Sequence, residues 1–370
     1  MGETVLYAVG DVAPDRPDPS QCFDLVRDTL SRGGLAFCQL EVNITERGFR
    51  LPQVRHTHRA VAATGGAIKG AGFDVVSFAG NHCMDWGPDG FFDTLSNLKA
   101  AGLEVVGVGA DIDEARRPVI VERDGVKVAF IACSSILPMG YWAEARRAGC
   151  VPLRAHTVYE QIEHDQPGTP ARVHTFSHRE DLEALVADIR AAKAAADVVV
   201  VSMHWGIHFT PAVLADYQRE AAHAAIDAGA DLILGHHAHI LKGIEVYKGR
   251  PIFYSLCNFA MDLRMDAAHA ASKGFREIQA LHPLWIPDFD SLYNFPDDSR
   301  MTVVVKARLT DAGIAEVAFL PAWIGRDARP AILEPQDPRF AEVVTYLTDV
   351  TRAAGLEPAF TVRGAEVVVG

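Results

Sequence analysis

The chain has 370 residues, 49% hydrophobic and 22% charged, with a formal net charge of -13 at pH 7. These proportions suit a globular protein with a sizeable core and exclude the disordered and fibrous classes. An acidic total with no long run of Lys or Arg argues against nucleic acid as a partner.

Residues 4–9 form an apolar run of strand length, and residues 23–30 have helical spacing. Residues 35–40 read as a strand, the segment before Gly72 as a helix, 74–78 as a strand, and 90–101 as a helix. Strands are expected again at 104–108, 119–121 and 126–131. A helix over 179–195 leads into the Val-rich run 197–203, which reads as a strand buried on both faces. A helix over 214–228 and strands at 231–234, 244–247 and 251–255 follow, then a strand pair at 301–306 and 314–319 and a last helix over 341–353. The alternation predicts a layered α/β fold around a mostly buried sheet.

Residues 137–177 and 261–300 break this rhythm, so the chain reads as one domain over 1–370 with two irregular insertions. Long irregular insertions in compact domains usually carry function, which makes these the candidate substrate-recognition loops. The six cysteines, at 22, 38, 83, 133, 150 and 257, include no CxxC pair, which fits a reduced compartment. The N-terminal residues have neither a basic region nor an apolar span, so the expectation is a cytoplasmic protein with no membrane partner.

Five strand-like runs end in residues able to bind metal or move a proton: Gly10-Asp11, Glu41, Gly80-Asn81-His82, His204 and Gly235-His236-His237-Ala238-His239. Ligand crevices form at the carboxyl ends of strands in open α/β sheets, so these distant residues can converge. Taken singly, a Gly-Asp or Gly-Asn-His is most often a turn or a helix cap; the joint placement is what argues for a site. Oxygen donors from Asp11, Glu41 and Asn81 suit hard or borderline divalent cations, imidazoles add transition-metal affinity, and the absence of cysteine disfavours a structural zinc site. Asp85, three residues past His82, can orient that imidazole for acid/base work, or cap the helix that follows. His208, Trp86 and Trp205 adjoin these motifs and are the candidate substrate contacts.

The segments "KGAGFDVVSFAGNHCMDWGPDGFFDTL", "DVVVVSMHWG" and "DAGADLILGHHAHILKGIEVYKGRPIFYSLCNF", with residues 5–40, resemble the CapA-like branch of the calcineurin-like metallophosphoesterase superfamily. The resemblance implies a four-layer αββα sandwich with mixed sheets. It assigns metal-ligand roles to Asp11, Glu41, Asn81, His204, His237 and His239, with His236 as the alternative to His237, and a proton-transfer role to His82. The superfamily's Asp-x-His motif appears here as Asp11-Val12-Ala13, which implies one divalent ion per chain, calcium or manganese ahead of zinc or iron. The pattern also has Glu where this chain has His208, and Gly where it has Cys257.

CapA-like proteins of capsule assembly generally begin with a membrane segment, whereas other members include lasso-peptide epimerases. The resemblance therefore implies first an epimerase inverting the Cα of the C-terminal residue of a ribosomal, lasso-type peptide. In that reading His82 and Asp85 form one proton-transfer pair and Asp11 with His204 or His239 the other. A metallohydrolase of phosphoester or γ-glutamyl amide bonds is the second expectation, and a non-catalytic polymer-binding protein the third.

Overall fold

A computed structural model describes residues 2–54 and 58–370. Among them the strands make one ten-stranded and one six-stranded sheet, with three two-stranded pairings besides. Both large sheets are mixed. In the first, Glu3–Ala13 pairs parallel with Leu35–Leu40, which pairs parallel with Val75–Ser77, while Met301–Thr310 lies antiparallel on the other side of Glu3–Ala13. In the second, Val126–Ser134, Val198–His204 and Leu232–His236 run parallel at the centre, with Val119–Arg123 antiparallel at one edge.

Side chains alternate faces along a strand, and here the alternation builds the layers. Val128, Phe130, Val198, Val200, Leu232 and Leu234 share a core with the first sheet, where Phe37 stacks on Phe130 at 5.6 Å. Their neighbours Ala129, Ile131, Val199, Val201 and Ile233 pack instead with Leu185, Ile189, Ala221 and Ala225 of helices Arg179–Ala195 and Asp216–Ala228. Helices Ala63–Gly70 and Gly87–Ala100 supply Ile68, Phe91 and Leu98 to the first sheet's core. The order helix, sheet, sheet, helix is the four-layer sandwich expected. Val198 to Val201 are each 0% exposed, and burying a valine contributes roughly 1.5 kcal/mol or more.

Several elements match the sequence reading residue for residue: Leu35–Leu40, Arg179–Ala195 and Ile244–Tyr247. Others differ. Residues 23–30 are broken into a 3-10 turn, Pro19–Phe23, and one helical turn, Arg27–Leu30. The insertion 137–177 contains a regular hairpin, Ala155–Glu160 with Arg172–Ser177. The insertion 261–300 carries the short helices Ala267–Ala270 and Lys273–Leu281. Its Phe275 and Trp285 join Phe209 in a small aromatic core beside the main one. No helix among the described residues is long and apolar enough to cross a membrane.

Candidate metal centre

Because the central strands of each sheet are parallel, their carboxyl ends open on one edge. Asp11 lies near the end of Glu3–Ala13, Glu41 follows Leu35–Leu40, and Asn81 follows Val75–Ser77. His204 ends Val198–His204, and His237 and His239 follow Leu232–His236. Two donor groups result: Glu41, His204 and His237 have ligand atoms within 4.8 Å of one another, and so do Asp11, Glu41 and His239. Glu41 belongs to both. Its Oε1 is 3.5 Å from His204 Nε2 and its Oε2 is 3.9 Å from His239 Nδ1. Asn81 joins the first group, its Oδ1 lying 2.6 Å from His204 Nε2.

The structure separates the two histidines the sequence left open. His237 stands in a donor group, and its backbone N–H also donates to Asp11 Oδ2 at 3.1 Å. His236 is fully buried behind it, with Nδ1 3.3 Å from Asp11 Oδ1 and its ring against Phe37. The backbone is strained here. His237 (φ 85°), His239 (φ 55°), Phe209 (φ 50°), Ala212 (φ 59°) and Cys257 (φ 65°) are five of the eight non-glycine residues with left-handed φ among those described. Each such residue costs on the order of 1–2 kcal/mol, and strain of this kind collects at functional sites.

Electrostatics explain what the cluster is suited to hold. Burial pushes the Glu41 carboxyl well up, and the neighbouring charges of Asp11 and Asp85 push it further. Burial acts the same way on Asp11, but His236, His204 and His239 together hold it below the usual carboxylate range. Burial lowers His204 to about 3 and takes His237 well below the ordinary imidazole value, so both rings are neutral and offer lone pairs. Glu41 Oε1, His204 Nδ1 and His237 Nδ1 are buried without a hydrogen-bond partner in the protein. Orphaned buried polar atoms are costly. Two carboxylates, an amide oxygen and neutral imidazoles, with no thiolate, fit a hard or borderline divalent cation.

Beside the donors stands a hydrogen-bonded chain of three side chains. His82 Nδ1 is 2.6 Å from Asp85 Oδ2, and Asp85 Oδ1 accepts from the Tyr141 hydroxyl at 2.8 Å. The His82 side chain is 25% exposed, whereas His204 is 0% and His239 10%. Tyr141 comes from the 137–177 insertion, and no sequence signal marks it.

The three candidate substrate contacts divide. His208 lies over the site, its ring centroid 3.9 Å from that of His237 and 5.1 Å from that of His239. Trp86 sits half-buried at the edge, donating to His58 O, with Arg59 4.4 Å above its ring. Trp205 does not belong to the site. It is fully buried in the outer core, stacked on Tyr254 and donating to the Tyr254 carbonyl, because strand alternation turns it away from His204.

A family model described as "Bacterial capsule synthesis protein PGA_cap" matches residues 5–263. The chain belongs to this family. Among similar proteins is the PGA biosynthesis protein CapA of Bacillus subtilis (strain 168), 34% identical over 196 residues, covering 53% of this chain and 44% of that protein. A probable polyglutamine synthesis accessory protein of Mycobacterium tuberculosis (strain ATCC 25618 / H37Rv) is 34% identical over 192 residues, 51% of this chain and 45% of its own length. The match thus spans less than half the length of these relatives. Among solved structures, the calcineurin-like phosphoesterase YfkN from Bacillus subtilis aligns with 95% of this chain and 98% of its own, at a TM-score of 0.41 and 14% identity. Membership of the PGA_cap family agrees with the CapA-like resemblance of the motifs.

Proposed function

We propose that the chain is a metal-dependent enzyme in which His82 moves a proton at a substrate held by the cation centre, and that the reaction is inversion of a Cα in a peptide. The observation that carries this reading is the state of His82. Its Nδ1 is committed to Asp85, which Tyr141 holds in turn, so Nε2 is the ring's working nitrogen. It is also the more exposed imidazole beside otherwise buried donors. A fixed tautomer with one accessible nitrogen is what a general acid/base needs.

A divalent cation held by Glu41, Asn81, His204 and His237 would supply positive charge to a substrate carboxylate and to the negative charge that develops when the Cα proton leaves. His82 Nε2 accepts that proton as the Cα–H bond breaks and its electron pair moves toward the carbonyl. A second group returns a proton to the opposite face. Asp11, His204 and His239 are poorly placed for this, since they stand inside the donor groups. His208 is better placed: its Nε2 has no partner in the protein and its ring covers His237 and His239. Phe295, half-buried with its ring 5.1 Å from that of His239, can offer apolar surface to a peptide end.

The test is incubation of metal-loaded protein with candidate peptides in D2O. One deuterium at a single Cα, inversion of that residue on chiral analysis, and loss of both in His82→Ala support the reading. Absence of exchange in every peptide offered argues against it.

A second reading, a metallohydrolase of phosphoester or γ-glutamyl amide bonds, is favoured by one feature. Two donor groups sharing a carboxylate can clamp both oxygens of a displacement. Release of phosphate or of a new amine, without Cα exchange, would select it.

A further inference from the structure

We infer that Asn258 is a metal ligand: its Oδ1 completes, with Asp11, Glu41 and His239, a second divalent-cation position that the sequence motifs leave incomplete at Ala13. The inference requires that the cluster bind cations, and it is independent of which reaction they serve.

The backbone brings Asn258 to the spot. Asp11 and Asn258 are register partners in the parallel pairing of Glu3–Ala13 with Asn258–Met261, and Asp11 N–H donates to Cys257 O at 3.0 Å. That approach requires Gly10, because a Cβ there would lie 1.9 Å from Cys257 O. Cys257 itself takes a left-handed φ of 65° immediately before Asn258. The strain is spent at the point where a new side chain enters the site.

The amide orientation follows from a chain of hydrogen bonds. Tyr293 donates its single hydroxyl hydrogen to Ser299 O at 2.6 Å, so toward Asn258 it can only accept. Asn258 Nδ2 is therefore the atom 2.8 Å from the Tyr293 oxygen, and Oδ1 must face the other way. There it lies 2.7 Å from His239 Nδ1. Asn258, Tyr293 and Ser299 are fully buried, and His239 nearly so.

The arrangement repeats that of the first group. Asn81 Oδ1 is 2.6 Å from His204 Nε2, with Glu41 Oε1 3.5 Å from the same nitrogen. Asn258 Oδ1 is 2.7 Å from His239 Nδ1, with Glu41 Oε2 and Asp11 Oδ2 each 3.9 Å from that nitrogen. Each group thus has one amide oxygen, one imidazole nitrogen and one oxygen of Glu41; His237 completes the first and Asp11 the second. The competing arrangement puts a hydrogen on His239 Nδ1, donated to Asn258. Nδ1 could not then ligate, and His239 could reach a cation only through Nε2.

The full chain, stripped with chelator and dialysed, is titrated with Mn2+ while calorimetry counts ions and EPR reports coupling between them. The expected result is two Mn2+ per chain with an exchange-coupled spectrum. In Asn258→Ala the second ion should bind about tenfold or more weakly, since losing a ligand costs at least what losing an outer-shell partner of one does, and the coupling should vanish. Asn258→Asp should bind it at least as tightly as the wild type, and Tyr293→Phe, which frees the amide to turn, should fall between. If Asn258→Ala does not fold, the other two variants carry the test. One ion per wild-type chain at saturation, two ions retained unchanged in Asn258→Ala, or a folded Asn258→Asp that loses the second ion would each overturn the inference. A missing deuterium exchange would sink the epimerase reading and leave this assignment standing.

Discussion

Tyr141 donates its hydroxyl hydrogen to Asp85 Oδ1 at 2.8 Å across 56 residues of sequence, so an insertion secures the carboxylate that orients His82. Both residues are buried, Tyr141 completely. Hydrogen bonds to a charged group are worth about 1.5–3 kcal/mol. Tyr141→Phe should therefore lower the rate of Cα exchange about tenfold or more while leaving ion binding unchanged. Parallel exchange and metal titrations of the variant check this; a rate equal to that of the wild type would detach Tyr141 from His82.

A buried ion pair ties the loop after the first strand to the end of Asn258–Met261. Arg16 Nη2 is 2.5 Å from Asp262 Oδ1 and also donates to Asp327 O, and the two side chains are 7% and 1% exposed. Removing one partner of such a pair strands the other charge, at a cost of about 3–5 kcal/mol. Arg16→Met should lower the urea midpoint accordingly. A change within experimental error would mean that solvent reaches Asp262 when Arg16 is gone.

The cysteines give a pH dependence on the alkaline side. All six are buried, and burial, reinforced by Asp262, pushes Cys22 up to about 12, with Cys38 and Cys133 also raised by burial. A thiol whose folded value lies above its unfolded one contributes stability that is fully present below the unfolded value, about 8.5, and is lost as pH climbs toward the folded value. Stability should therefore decline steadily between about pH 9 and 12, and native protein at pH 8 should not react with thiol reagents. Rapid labelling without unfolding would contradict the burial.

Chelation should destabilise the protein. Without a cation, Asp11 and Glu41 face one another in a buried site, and burial together with Asp11 raises Glu41. A ligand at 100 times its Kd adds about 2.7 kcal/mol, so removing it should lower the melting temperature by several degrees, restored by adding Mn2+ or Ca2+. Identical melting curves with and without chelator would mean that the site is empty or that its ion does not couple to folding.

The donors were legible because strand ends carry them: an apolar run followed by Asp11, Glu41, Asn81, His204 or the triple-His segment places each at the same edge once the strands are parallel. Trp205 departs from the expectation because an indole next to His204 gives no sign of its face; period-two alternation, applied one residue further, turns it to the outer core. Tyr141 and Tyr293 were invisible, since each acts through a partner set by tertiary contact and lies in an insertion with no periodic pattern. Asn258 follows Cys257 in the sequence, and nothing in the local pattern marks it as a donor. Its role depends on a parallel pairing with Glu3–Ala13 that joins segments nearly 250 residues apart. The hairpin Ala155–Glu160 with Arg172–Ser177 leaves no strand signal in the sequence because its strands are largely exposed and show no apolar face. The one-ion expectation rested on Ala13 alone; a second donor group around Glu41 emerges only when Asp11 and His239 are brought together.

The most direct test is elemental analysis of the purified chain beside Glu41→Ala, since Glu41 is the residue both donor groups share. At least one divalent ion per wild-type chain, retained through gel filtration and lost in a folded Glu41→Ala, is the predicted result. A wild-type chain that holds no divalent ion and takes up none on titration with Mn2+ or Ca2+ would contradict the account at its centre.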